Sequence, residues 1–143
     1  MAASPADLLS DLAHLWGGTV RPGCVAQAAR SYDSTGQGYS FVPAPHASEA
    51  RYALDVELVD QPFDPDLTDR LSQIADTSAP ITWSRLEVAA KLLDIPVHLC
   101  LREALHDALA WQKRCAALEI TSVTVGALHI ALGRLITPEQ GRA

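Results

Sequence analysis

The chain has 143 residues, 48% of them hydrophobic and 20% charged, an ordinary globular balance. A chain of this length can bury about 70% of its unfolded surface, so it needs no disulfide framework. The net charge of −6 leaves no basic footprint of the kind nucleic-acid binding produces, so no nucleic-acid partner is expected.

The charge is unevenly placed. Residues 1–83 carry four Arg against eleven Asp or Glu, whereas residues 84–143 carry seven basic against six acidic residues. Arg outnumbers Lys nine to two, as in GC-rich bacterial genomes. Cys24, Cys100 and Cys115 are odd in number and widely spaced. They read as free, buried thiols of a reducing cytosol, because zinc requires close ligand pairs. The first sixteen residues have no basic stretch ahead of an apolar run, and Asp7 and Asp11 interrupt the apolar residues. The expectation is a cytoplasmic protein with no secretory signal.

Ser4-Pro5-Ala6-Asp7 starts a helix: a capping hydroxyl, a proline at the first helical position and an acid at the positive helix end. Leu8, Leu12 and Leu15 make its stripe, and Gly17-Gly18 ends it. Cys24 to Tyr32 suits a helix or a strand. Asp33 to Gly38 is a turn-rich loop, Tyr39 to Val42 a short strand, and Pro43 to Ser48 a second loop. Arg51 to Val59 is the clearest strand. Tyr52, Leu54, Val56 and Leu58 alternate with Arg51, Asp55 and Glu57, the period of a half-buried sheet.

Asp64-Pro65-Asp66 opens a helix running to about Ala75. Asp76 to Pro80 breaks it. Ser84-Arg85-Leu86-Glu87 is a capping box that opens a helix with Leu86, Ala89, Ala90 and Leu93 inward. Ile95-Pro96 interrupts the pattern. A long amphipathic helix then runs from about Pro96 to Leu118. Thr121 to Leu135 carries one basic and no acidic residue, with apolar residues on every side of a helical wheel. That predicts a central core helix buried all round, too short to span a bilayer. No membrane association is expected.

The expected fold is α+β in a single domain. Residues 1–60 supply a helix and a small antiparallel sheet, residues 61–136 a helical bundle, and residues 137–143 a frayed tail.

The chemistry is sparse. The acidic run Asp55, Glu57, Asp60, Asp64, Asp66 and Asp69 lacks the spacing of a cation loop. It reads as an outward strand face followed by a helix start, with no metal and no cofactor. His98 and His106 flank Arg102 on one helix face that could hold an anion or shuttle protons. With Cys100 they are the candidate catalytic residues. His129 sits inside the apolar segment and needs a hydrogen-bond partner, expected to be a backbone carbonyl. No phosphate loop, nucleophile elbow or zinc-protease motif occurs. Leu86 to Glu103 has helix-turn-helix spacing, but Pro96, Val97 and Leu99 would face the DNA and Asp94 replaces the usual glycine.

Val125 to Leu135 resembles the signature of the Clp unfoldase N-terminal repeat. Gly126, His129, Ile130, Leu132, Gly133 and Leu135 match in place, while Ala127 and Leu128 depart from it. The resemblance covers residues 108–135. It implies a small helical bundle that binds adaptors and substrates for an ATPase motor, although no Walker motif is present here. The expected function is therefore a non-enzymatic, adaptor-like protein-interaction module of a bacterial cytosol. Its partner would be another protein or a second copy in a homodimer, meeting the edge of Arg51–Val59 or a nearby apolar helix face. Two alternatives stay open: a helix-turn-helix regulator, and a small enzyme using a His or Cys in a cleft.

Overall fold

The computed structural model describes residues 15–25, 28–44 and 50–135. A 3-10 turn at Leu15–Gly17 is followed by β1 (Thr19–Pro22), β2 (Ala29–Tyr32), β3 (Gly38–Val42) and β4 (Arg51–Leu58). Helices α1 (Pro65–Ser72), α2 (Ala79–Leu93), α3 (Val97–His106) and α4 (Ala108–Arg114) come next. A second 3-10 turn, Cys115–Ala117, leads into β5 (Leu118–Val125) and β6 (Leu128–Leu135). The strands form two antiparallel sheets, ordered β1-β3-β2 and β4-β6-β5.

This overturns the expected division into an N-terminal sheet and a C-terminal helical bundle. Thr121–Leu135 is no helix; it is most of a hairpin, with β6 the central strand of the second sheet. Both faces of β6 are covered, so apolar residues fall on both of them and the strand shows no period of two. Leu128, Ile130 and Leu132 face the small sheet, in one cluster with Val20, Phe41, Leu54 and Val56. Ala131 faces α2, packed with Ala53, Val88 and Leu92. The three layers are therefore small sheet, central sheet and helices. The residues that carry the Clp resemblance lie in the hairpin turn and in β6.

The turn explains the hairpin. Gly126 has φ +59 while Ala127 is not left-handed, the pattern of a type II′ turn with glycine first. The β-branched run Thr121, Val123, Thr124 and Val125 supplies the preceding strand.

The helices also differ in their bounds. Asp64 caps α1 as expected, its carboxylate accepting from the Leu67 N–H at 3.3 Å. α2 starts at Ala79, five residues before the predicted capping box, so Ser84 lies inside the helix, within 3.4 Å of the Asp55 carbonyl. α2 ends at Asp94, which takes the left-handed conformation (φ 57), a conformation Asp tolerates better than most residues. The predicted long helix from Pro96 splits at Asp107, which ends α3 and caps α4 by accepting from the Ala110 N–H at 3.1 Å. The predicted N-terminal helix falls, except for its last residues, outside the described residues, as does the predicted tail.

α2 crosses the central sheet closely at Gly133. A Cβ there would overlap Val88 and come within 2.9 Å of Leu92 Cδ1. A strand glycine of this kind marks a close approach. Gly133→Ala is therefore expected to destabilise the fold by about 1–3 kcal/mol, the usual cost of overpacking. Chemical denaturation of the purified variant checks this.

Candidate functional site

The residues singled out from sequence do not assemble into one centre. His98 and His106 are exposed on α3, four residues either side of Arg102. Their Cα atoms are about 12 Å apart along the axis, at 1.5 Å per residue. Cys100 is turned inward, 1% exposed, among Leu71, Leu86, Ala90 and Leu101. Burial pushes its thiol pKa up, which favours the inert thiol over the nucleophilic thiolate. Cys115 is half-buried, and burial pushes its thiol up to about 11. Cys24 departs from the expected buried thiol: it is exposed, with Sγ donating to Tyr32 Oη at 3.1 Å.

His129 is 8% exposed. Its partner is a hydroxyl rather than the expected carbonyl: Nδ1 lies 2.7 Å from Thr124 Oγ1 across the hairpin. Burial lowers its pKa. Among the described residues, no three His, Cys, Asp or Glu side chains are grouped to hold a metal ion. No described helix is long and apolar enough to cross a membrane.

The acidic run divides. Asp64 caps α1, and Asp66 pairs with Arg70 at 3.1 Å. Asp55 and Glu57, however, are not on a solvated face as expected, because α2 covers that side of β4. Asp55 is 6% exposed. Its Oδ1 lies 3.5 Å from Ser31 Oγ, while its buried Oδ2 meets no donor. Burial raises the Asp55 pKa, against the pull of Lys91. Burial and the Asp55 charge raise Glu57 from 4.5 to about 8. Burial, then Asp55, also raises Glu87 on α2. Two close carboxylates cannot both ionise cheaply, so Glu57 keeps its proton beside Asp55.

The second feature is the outer edge of β5. The two-residue turn makes Val125 and Leu128 a hydrogen-bonded pair, and such pairs alternate along an antiparallel ladder. Glu119, Thr121 and Val123 thus turn their backbone groups to β6. Leu118, Ile120, Ser122 and Thr124 turn theirs outward.

The same alternation turns Leu54 and Val56 outward on β4, and there one group of each is met by a side chain. The Val56 N–H donates to Ser31 Oγ at 3.1 Å, and Lys91 Nζ donates to the Leu54 carbonyl at 2.7 Å. The β4 edge, expected to receive a partner, is covered by the chain itself.

On β5, Arg85 of α2 reaches over the edge. Its guanidinium donates to Ser122 Oγ at 2.8 Å and to the Ile120 carbonyl at 3.3 Å. Among the described residues, no strand pairs with this edge. A cleft of about 550 Å³ opens along Leu118–Thr121, with Arg85 and Cys115 on the helix side and Trp16 on the small-sheet side. A second cleft of about 260 Å³ adjoins it, sharing Arg85, Cys115 and Ile120. Its wall is mainly apolar, with Ile74, Leu86, Ala89 and Trp111.

Sequence reasoning passed over Arg85, Trp111 and Ser122 as site residues. The available signal was the β-branched alternation before Gly126-Ala127, which marks a strand followed by a tight turn.

No family model, no curated protein and no solved structure matches this chain.

Proposed function

We propose that this chain is a non-enzymatic, adaptor-like protein-interaction module that receives an extended segment of a partner protein along the outer edge of β5. The observation that carries this is the outward backbone of Ile120, Ser122 and Thr124 beside an open cleft. Unpaired strand edges are templates for an added strand, and main-chain bonds supply the affinity. The contrast with β4 supports the reading. There Ser31 holds the outward Val56 N–H and Lys91 the outward Leu54 carbonyl. On β5 the exposed Arg85 meets the Ile120 carbonyl alone among the outward backbone groups, and its long side chain can withdraw. The three free cysteines fit a reducing, cytoplasmic setting.

Photo-crosslinking in the native cell tests this. A benzophenone amino acid at Thr124 should give one discrete adduct with a protein. The same group at Gln112, exposed on α4, should give none. No adduct at Thr124, or equal adducts at both positions, rejects the proposal.

A further inference from the structure

We infer that the segment received by β5 carries an apolar side chain and, two residues away, a carboxylate: the first enters the cleft beside Ile120 and the second pairs with Arg85. This rests on the proposal that the β5 edge accepts a strand.

The spacing follows from strand geometry. Residues i and i+2 of an added strand point to the same face, about 6.6 Å apart. The helix-side face of β5 presents Ile120 and Ser122. Opposite it lie the apolar wall of Leu86, Ala89 and Trp111 and, adjoining, Arg85. One inward side chain therefore meets apolar surface, and the next meets a guanidinium.

The charge follows from the partners of Arg85. Arg70, Arg114 and Arg134 each hold a carboxylate: Asp66 at 3.1 Å, Glu103 at 2.8 Å and Glu119 at 3.1 Å. Arg85 holds a hydroxyl and a carbonyl, and among the described residues no acid pairs with it. A guanidinium has five donors, and its fork suits a carboxylate in two-point contact. A strand laid on β5 takes the Ile120 carbonyl for its own N–H, which frees the guanidinium for that carboxylate.

The Arg85 charge selects a heterologous segment over a second copy. In antiparallel self-pairing centred on Thr121, Ile120 of one copy opposes Ser122 of the other. Both Arg85 side chains then converge on one place, and Leu118, Ile120, Ser122 and Thr124 bring no acid to meet them.

A displayed library of random internal heptapeptides, screened against the whole protein, tests the inference. The enriched set should show an apolar residue two positions from Asp or Glu. A synthetic peptide of the consensus should lose about tenfold in affinity when its acid becomes the amide. Arg85→Met should abolish that discrimination while leaving the preference for the apolar residue. Ser122→Pro should abolish binding altogether. The Ser122 N–H points outward, so proline there removes no bond to β6, and an unchanged melting temperature confirms that the fold survives.

Enrichment that Ser122→Pro abolishes but that shows no acidic preference overturns the inference and leaves the β5 reading standing. A dimer in solution that Ser122→Pro dissolves overturns it as well, in favour of self-pairing. No enrichment, or enrichment indifferent to Ser122→Pro, overturns both.

Discussion

Leu132→Ala is expected to cost on the order of 2–5 kcal/mol, the range for truncating a fully buried leucine. Leu132 is 0% exposed. It sits mid-strand in β6, opposite Leu54 on one side and Thr121 on the other. Its side chain belongs to the cluster that joins the central sheet to the small one through Val20 and Phe41. The strand is fixed by two ladders, so the backbone cannot collapse into the cavity, and the loss should fall toward the upper part of the range. For a chain of this size that means a fall in melting temperature of about 10 °C. Leu109, exposed on α4, gives the control: Leu109→Ala should change stability by less than about 0.5 kcal/mol. A Leu132→Ala melt within a degree or two of wild type would reject the placement of β6 at the centre.

β6 also shows where sequence patterning stops. β4 was legible because its partners differ by face: Tyr52, Leu54 and Val56 meet the small sheet, while Arg51, Asp55 and Glu57 kept their polar character. That alternation is the mark of a sheet with unlike sides. β6 meets apolar atoms on both sides, and an apolar run without a period fits a buried helix equally well. The same loss of information hid the carboxyl cluster. Alternation put Asp55 and Glu57 on the face away from Leu54 correctly, but it carries no record that α2 lies over that face. Asp64 announced its helix because a cap is local, and Asp107 did not because the amphipathic pattern continues across it. The β5 edge was illegible for a different reason. Which edge stays open depends on Ser31, Lys91 and Arg85 arriving from distant elements.

Glu57→Gln is expected to be nearly neutral at pH 5 and stabilising at pH 9, because the wild-type carboxyl resists losing its proton in the fold. Its pKa rises from 4.5 to about 8 on folding, so the folded chain holds this proton more tightly than the unfolded chain does. The associated stability is fully present below pH 4.5 and is lost as pH rises toward about 8. Asp55 and Glu87 shift in the same direction, which steepens the loss, and Lys91 offsets part of it. His129, lowered by burial on the neighbouring strand, works the other way, since its contribution falls as pH falls. The full shift of Glu57 corresponds to about 5 kcal/mol at 1.36 kcal/mol per pKa unit. The group is half-exposed, and solvent screening reduces this to on the order of 2 kcal/mol. Gln cannot ionise, and its amide keeps a donor beside Asp55 where the protonated Glu57 has one. The variant should therefore match wild type at pH 5 and melt about 4–8 °C higher at pH 9. Melting curves of both proteins across that range decide the matter, because titrating groups remote from Glu57 cancel in the difference. A difference that stays constant with pH would show that Glu57 ionises freely and that α2 does not hold the carboxyl pair out of water.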